Sequence, residues 1–251
     1  MRETDEKQRL TWLRGIIRRA SLEGPPTLRW VRRAAQNIRG PGESLGVFPS
    51  SFNPPTKAHR VLIERACRVE PVDEILLMLD RRPLDKEIFG ASLEERLLMI
   101  LLCFEKDPTV SIAFTTGGLF IEKLALLLEA YPQDTMIRFI VGHDTLIRVL
   151  DAKYYEDRDA SLRRLFTDSQ FLVATRGSAG VDEIRDLSHQ KGNRPFAERI
   201  VPFQIPFSIG QVSSTLVRNR IRQGRDIDDL VPPEIAPYLG QKGLYRNPRQ
   251  G

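Results

Sequence analysis

Leu45-Gly-Val-Phe-Pro-Ser-Ser-Phe-Asn-Pro-Pro-Thr-Lys-Ala-His59 reads as a short buried strand, a stiff loop and the first turn of a helix. The apolar run ends at Phe48, and Pro54-Pro55 holds the chain extended after it. Thr56 is then a natural N-cap, and Leu62, Ile63, Ala66 and Cys67 make an apolar helix face behind it. A strand feeding a helix in this way is the opening unit of an α/β fold. The helix end presents backbone N–H groups to an anion. Lys57 and His59 in the opening turn are unfavourable to the helix dipole unless an anion is near. That points to a phosphate site, with an exposed capped helix and incidental charges as the alternative.

Downstream, short apolar strands alternate with amphipathic helices. Strands are expected at 45–48, 74–79, 109–114, 136–141, 170–174 and 199–203, and helices at 57–68, 93–104, 119–130, 145–150, 181–189, 215–223 and 233–239. The pattern predicts a Rossmann-like α/β fold: a mostly parallel sheet with helices on both faces. Ligands of such sheets sit beyond the carboxyl ends of the strands, at the topological switch point.

A second segment repeats the loop-to-helix logic. In Val212-Ser-Ser-Thr-Leu-Val-Arg-Asn-Arg-Ile221, Ser213 or Ser214 caps, Thr215 follows, and Val217 and Ile221 face the core. Arg218 in the first turn again asks for an anion. Two such ends bracketing one α/β pattern suggest a single nucleotide site. Gly142, at the end of the 136–141 strand, permits close approach of a nucleotide, and Asp144 beyond it can accept from ribose hydroxyls. An ordinary turn capped by Asp144 fits the same spacing.

The 251 residues carry a net charge of +5. Residues 1–45 hold 10 Lys/Arg against 5 Asp/Glu, which is the whole excess. Leu10, Leu13, Ile16 and Ile17 mark one helix there, and Leu28, Val31, Ala35 and Ile38 a second after Gly24-Pro-Pro26. Residues 1–44 therefore read as a basic helical extension ahead of a domain at 45–251, either packed on that domain or free as an arm for an acidic partner. Cys67 and Cys103 fall in apolar helical patterns and are expected as buried free thiols. No apolar run approaches membrane-span length, and the start is too polar for a signal peptide, so a cytoplasmic location is expected.

Phe52-Asn-Pro-Pro-Thr-Lys-Ala-His59 resembles the (H/T)xxH signature of the nucleotidylyltransferase superfamily. Together with Val212-Ser-Ser-Thr-Leu-Val-Arg218 and the tail through Tyr245, it resembles the nicotinate/nicotinamide mononucleotide adenylyltransferases. Ile140-Val-Gly-His-Asp-Thr-Leu146 resembles that family's Gly-x-Asp segment, and Lys86, Ser92 and Arg96 its middle stretch. The resemblance implies adenylyl transfer from ATP to a pyridine mononucleotide, with Mg2+ delivered on ATP. It implies His59 and Arg218 as catalytic residues, and phosphate contacts from Ser50, Ser51, Phe52, Thr56, Ser213, Ser214 and Thr215. Gly142 and Asp144 would face the ribose, with substrate contacts from Lys57, Lys86, Arg96, Thr115, Thr116 and Tyr154. His59, His143 and His189 lack ligand spacing, so no protein-built metal site is expected. Neither membrane nor nucleic acid is expected as a partner, and association of like chains is left open.

Three departures fall on the acceptor side. Pro49-Ser50 stands where relatives carry a glycine pair, Ala152-Lys-Tyr-Tyr155 where they carry Trp-Lys, and Thr115-Thr-Gly-Gly-Leu119 where they read the pyridine substituent. A different phosphorylated acceptor, CTP in place of ATP, or a non-catalytic nucleotide-binding regulator are the competing expectations.

Overall fold

In the computed structural model, residues 3–21, 23–81, 89–176 and 179–246 are described. Seven strands form one sheet: β1 (Leu28–Arg32), β2 (Ser44–Pro49), β3 (Glu74–Asp80), β4 (Val110–Thr115), β5 (Met136–Gly142), β6 (Ser169–Arg176) and β7 (Ile200–Ile205). Their order is β1-β4-β3-β2-β5-β6-β7, with β1 antiparallel and the rest parallel. The strands alternate faces. Leu45, Val47, Leu76 and Met78 join one apolar layer, and Phe48, Leu77 and Leu79 the other. Burial on both faces is what apolar parallel strands require, and helices supply it.

Helices α1 (Glu3–Arg18), α2 (Lys57–Val69) and α3 (Leu93–Phe104) cover the Phe48 face. Helices α4 (Phe120–Ala130), α5 (His143–Leu150), α6 (Arg158–Thr167) and α7 (Ala179–His189) cover the other. The short α8 (Phe207–Gly210), then α9 (Ser214–Arg222) and α10 (Ile235–Lys242), close the chain; α9 and α10 pack on the Phe48 layer through Val217, Tyr238 and Leu239. Among the described residues no helix is long and apolar enough to cross a membrane.

The α/β architecture follows the sequence pattern, with one correction. The second N-terminal helix is absent: residues 28–32 form β1, paired with β4 through Leu28↔Thr115 and Trp30↔Ala113. Leu28 and Trp30 pack on one layer and Val31 on the other, so period two wins over the helical spacing that these residues also satisfy. The open edge of β4 provides the backbone partners. Beyond the strand, Ala34 donates its N–H to Ser111 Oγ (2.8 Å), and the Arg32 guanidinium donates to the carbonyls of Phe104 (2.5 Å) and Asp107 (2.7 Å). Helix α1 packs on α3 with Leu10 and Leu13 buried, and ion pairs Arg9–Glu105 (2.6 Å) and Arg14–Glu94 (3.0 Å) flank the contact. The N-terminal segment is thus packed on the sheet. Helix α6 was not anticipated, although Asp157 caps it by accepting from the Ala160 N–H (2.9 Å) and Leu162, Leu165 and Phe166 face the core. Both cysteines are free, Cys103 buried and Cys67 half-buried.

The strand order reverses between β2, which continues to β3, and β5 beside it. The loop after β2 and the β5–α5 turn at Gly142 therefore meet at the switch point, where a crevice opens in folds of this kind.

Candidate active site

The loop at 50–56 is held from three directions. Arg96 on α3 donates to the Ser51 carbonyl (2.9 Å), Arg218 on α9 to the Asn53 carbonyl (2.6 Å), and Ser214 Oγ to the Pro54 carbonyl (2.7 Å). Tyr245 donates its hydroxyl to Asn53 Oδ1 (2.7 Å), while Asn53 Nδ2 donates to the Phe89 carbonyl (2.9 Å). The Tyr245 ring lies so close to Gly90 that a Cβ there would stand 2.4 Å from it, and Gly90 has φ +98°. Two segments 160 residues apart are thereby joined into one wall, as their shared logic predicted. Phe52 sits in the left-handed region at φ 44°, a costly state for an aromatic residue. Its fully buried ring, 5.7 Å from Phe48 and 4.9 Å from His59 between centroids, holds it there.

His59 is fixed by the same packing. Its Nδ1 accepts from the Thr56 backbone N–H (2.9 Å), with Thr56 Oγ1 also at 2.9 Å, completing a capping box with histidine in the place of the usual glutamate. A ring whose Nδ1 accepts carries its proton on Nε2. Nε2–H then lies 3.3 Å from Ser50 Oγ, at the sheet's carboxyl edge. Burial lowers the imidazole from its ordinary 6.5 to about 4. The ring is therefore neutral, which revises the dipole argument: His59 needs no anion to offset a charge, and it offers a hydrogen-bond donor instead.

The sign of this shift gives an expected pH dependence for the free protein. Between pH 6.5 and about 4 the unfolded chain binds a proton at this position that the folded chain does not. Stability is therefore full above pH 6.5 and falls on acidification through that window, by about 3 kcal/mol. Urea unfolding at pH 7.5, 5.5 and 4.0 should show the loss, and His59→Asn should remove that component. Parallel curves for the two proteins would place the ring in a solvated setting.

The other expected site residues divide. Ser213 caps α9, accepting from the Leu216 N–H (3.1 Å), and Thr215 Oγ1 accepts from Arg218 (3.0 Å). Gly142 ends β5 with open space where a Cβ would project, and Asp144 is exposed in the first turn of α5. Lys57 turns away from the loop, its Nζ donating to the Asp228 carbonyl (2.8 Å) and its N–H to the Leu230 carbonyl (2.9 Å). The α2 end is therefore less bare than the sequence suggests. Arg96 stands behind the loop, buried, with burial pushing it down to about 10. Thr115 is buried and accepts from the Gly117 N–H (3.0 Å), and Thr116 accepts from the Thr27 N–H (2.9 Å), so both serve the backbone. Lys86 lies outside the described residues.

Beside Ser50 opens a cavity of about 270 Å³, between the ends of β2 and β3 and the helices α4 and α5. Tyr154 and Tyr155 line it with Phe120, Thr145 and Arg148, and Asp80 and Lys123 are also part of its wall. Asp80, Phe120, Lys123 and Arg148 were not singled out in the sequence. The available signal was weak: Asp80 is a carboxylate closing a strand with an apolar interior, and Lys123 looks like an ordinary helix charge.

A model of the cytidylyltransferase-like family matches residues 47–220, which takes in both loop segments and the cavity. The chain belongs to that family. This nucleotidyltransferase is 31% identical to a putative nicotinamide mononucleotide adenylyltransferase of Schizosaccharomyces pombe, over 80% of this chain and 86% of the relative. It is 27% identical to a probable nicotinate-nucleotide adenylyltransferase of Gemmatimonas aurantiaca, over 82% of this chain and 94% of the relative. Its fold is similar to that of the Plasmodium falciparum nicotinic acid mononucleotide adenylyltransferase complexed with NaAD, with a TM-score of 0.57, 17% identity, and coverage of 81% of this chain and 97% of that one. The resemblance read from the two motifs is borne out.

Proposed function

We propose that this nucleotidyltransferase joins ATP to nicotinate or nicotinamide mononucleotide, forming a dinucleotide and pyrophosphate in NAD biosynthesis. The observation that carries the reading is the clamp of the 50–56 loop to Ser214 and Arg218, with the His59 Nε2–H beside a cavity of mononucleotide scale. In the reaction a 5′-phosphate oxygen of the mononucleotide bonds to the α-phosphorus of ATP. The bond from that phosphorus to the β-phosphate bridge breaks, and pyrophosphate leaves; a divalent cation arriving on ATP would help to neutralise its charge. No enzyme nucleophile is required, so the protein's task is alignment and charge neutralisation.

In this reading ATP lies along the switch point, with its ribose over Gly142 and near Asp144. Its phosphates lie between the His59 Nε2–H and the Ser213–Arg218 helix end. The mononucleotide occupies the cavity, its ring against Phe120, Tyr154 and Tyr155. Residues 45–251 form the catalytic unit, residues 1–44 cover one edge and face of it, and the enzyme works in the cytoplasm.

The test is product analysis with Mg-ATP and, separately, Mg-CTP, against each of the two pyridine mononucleotides. A dinucleotide and equimolar pyrophosphate from ATP is the expected result. Product with CTP alone, or ATP binding with no product from either acceptor, would overturn it.

A further inference from the structure

The acceptor cavity has a charge arrangement that phosphate chemistry does not require. Asp80 closes β3 and Lys123 stands in the first turns of α4, with Nζ 3.0 Å from Asp80 Oδ1. Lys123 is 1% exposed and also donates to the Gly118 carbonyl (2.6 Å), whereas Asp80 keeps 24% of its side chain accessible. Both line the cavity beside Phe120, whose ring lies 5.3 Å from the ammonium. Neither belongs to the two phosphate-handling segments.

A buried ion pair in a substrate cavity is neutral as a unit but two-sided. The carboxylate accepts hydrogen bonds and the ammonium donates them. A carboxamide suits the accessible partner: its NH2 donates to the Asp80 carboxylate, while the 1% exposed Lys123 holds that carboxylate from behind. A carboxylate in the same place would set a second anion against Asp80, which is three-quarters buried and so only partly screened. Lys123 could not offset this freely, because its charge is already engaged by Asp80. Glu122 adds to the disfavour: it accepts from the Gly118 and Leu119 N–H groups (2.8 and 2.9 Å) and places more negative charge behind Asp80. Burial already raises the Asp80 carboxyl above its ordinary value despite both Lys123 and Arg96, a sign that the position tolerates negative charge poorly. Arg148, the other cation lining the cavity among the described residues, is exposed and turned to the Asp144 carbonyl (3.4 Å) and the Thr145 hydroxyl (3.3 Å), where solvent screens it.

Resting on the adenylyltransferase reading, we infer that the Asp80–Lys123 pair sets acceptor specificity, and that this enzyme takes nicotinamide mononucleotide in preference to the nicotinate form. The two acceptors share ribose and phosphate, so the discrimination lies in the pyridine substituent alone.

The experiment compares kcat/KM for the two mononucleotides with Mg-ATP in wild type and in Asp80→Asn. Wild type should favour the nicotinamide form by at least about 10-fold, well below the ceiling for a site that hydrogen-bonds one analogue and not the other. Asp80→Asn removes the repelling charge and frees Lys123, so the ratio should shift toward nicotinate by about 10-fold or more, through the acceptor KM, with the KM for ATP unchanged. Calorimetric binding of each mononucleotide to wild type without ATP supplies a second reading that does not depend on the variant's folding, and it should rank them in the same order. A wild-type preference for nicotinate overturns the inference while leaving the adenylyltransferase reading intact, as does an unchanged ratio in folded Asp80→Asn. Absence of product from both acceptors overturns that reading, and the inference falls with it.

Discussion

His59→Ala is expected to lower kcat by about 10²–10³ while ATP binding changes far less, which is the scale for loss of one preorganised donor to developing charge. The geometry supports this separation. The Thr56 N–H fixes the tautomer, and Phe48 and Phe52 hold the ring, so the Nε2–H is aimed before any substrate arrives. Such a donor contributes most where charge accumulates, on the phosphate oxygens as the α-phosphorus changes partners. The loop itself should survive the substitution, because Arg96, Arg218 and Ser214 still hold its carbonyls. The measurement is steady-state kinetics alongside ATP titration by calorimetry and a thermal unfolding curve for both proteins. His59→Asn, which keeps a side-chain N–H of shorter reach, should recover part of the loss. Equal losses in kcat and in ATP affinity would reduce His59 to a binding residue, and a collapsed unfolding curve would reduce it to a structural one.

The parts of this protein that could be read from its sequence are those specified locally. Each parallel strand of the sheet is a short apolar run ended by turn chemistry, and each helix of the main domain except α6 and α8 was marked by a cap or a periodic face. The 48–59 and 212–221 segments were legible for the same reason, since a capped helix end is a matter of a few consecutive residues. What escaped depends on distant partners. Residues 28–32 satisfy both periods, and only the unpaired edge of β4 makes them a strand. The charge of His59 could not be judged without the aromatic rings that desolvate it. Thr115 and Thr116 looked available for substrate, but Gly117 and Thr27 claim their hydroxyls. Asp80 and Lys123 lie 43 residues apart in sequence and carry no motif. Their meaning exists only where β3 ends against α4.

Arg218→Ala is the second substitution expected to have a large effect, about 10³ in kcat/KM, comparable to removing an arginine that neutralises a transferring phosphoryl group. Two functions meet in this side chain. One arm of the fork donates to the Asn53 carbonyl (2.6 Å) and the other to Thr215 Oγ1 (3.0 Å), so it joins the phosphate loop to α9. Those partners are a carbonyl and a hydroxyl, which leave the positive charge uncompensated. Burial accordingly lowers its pKa, with Arg222 adding to the effect. A half-buried guanidinium spending its hydrogen bonds on neutral acceptors retains its full charge for an anion, and pyrophosphate is the anion the reaction releases. Arg218→Lys separates the roles. Lysine restores a charge but not a planar fork that reaches Asn53 and Thr215 together, so it should regain about 10-fold and no more. Thr215→Val removes one anchor without touching charge and should cost less than either. Adding guanidinium at millimolar concentration should rescue Arg218→Ala in part and leave Arg218→Lys unchanged, because only the alanine variant has both the space and the missing charge. Full activity in Arg218→Lys would mean that charge alone matters at this position. A loss below about 10-fold in Arg218→Ala would confine Arg218 to holding the loop and move pyrophosphate neutralisation to the magnesium that ATP carries.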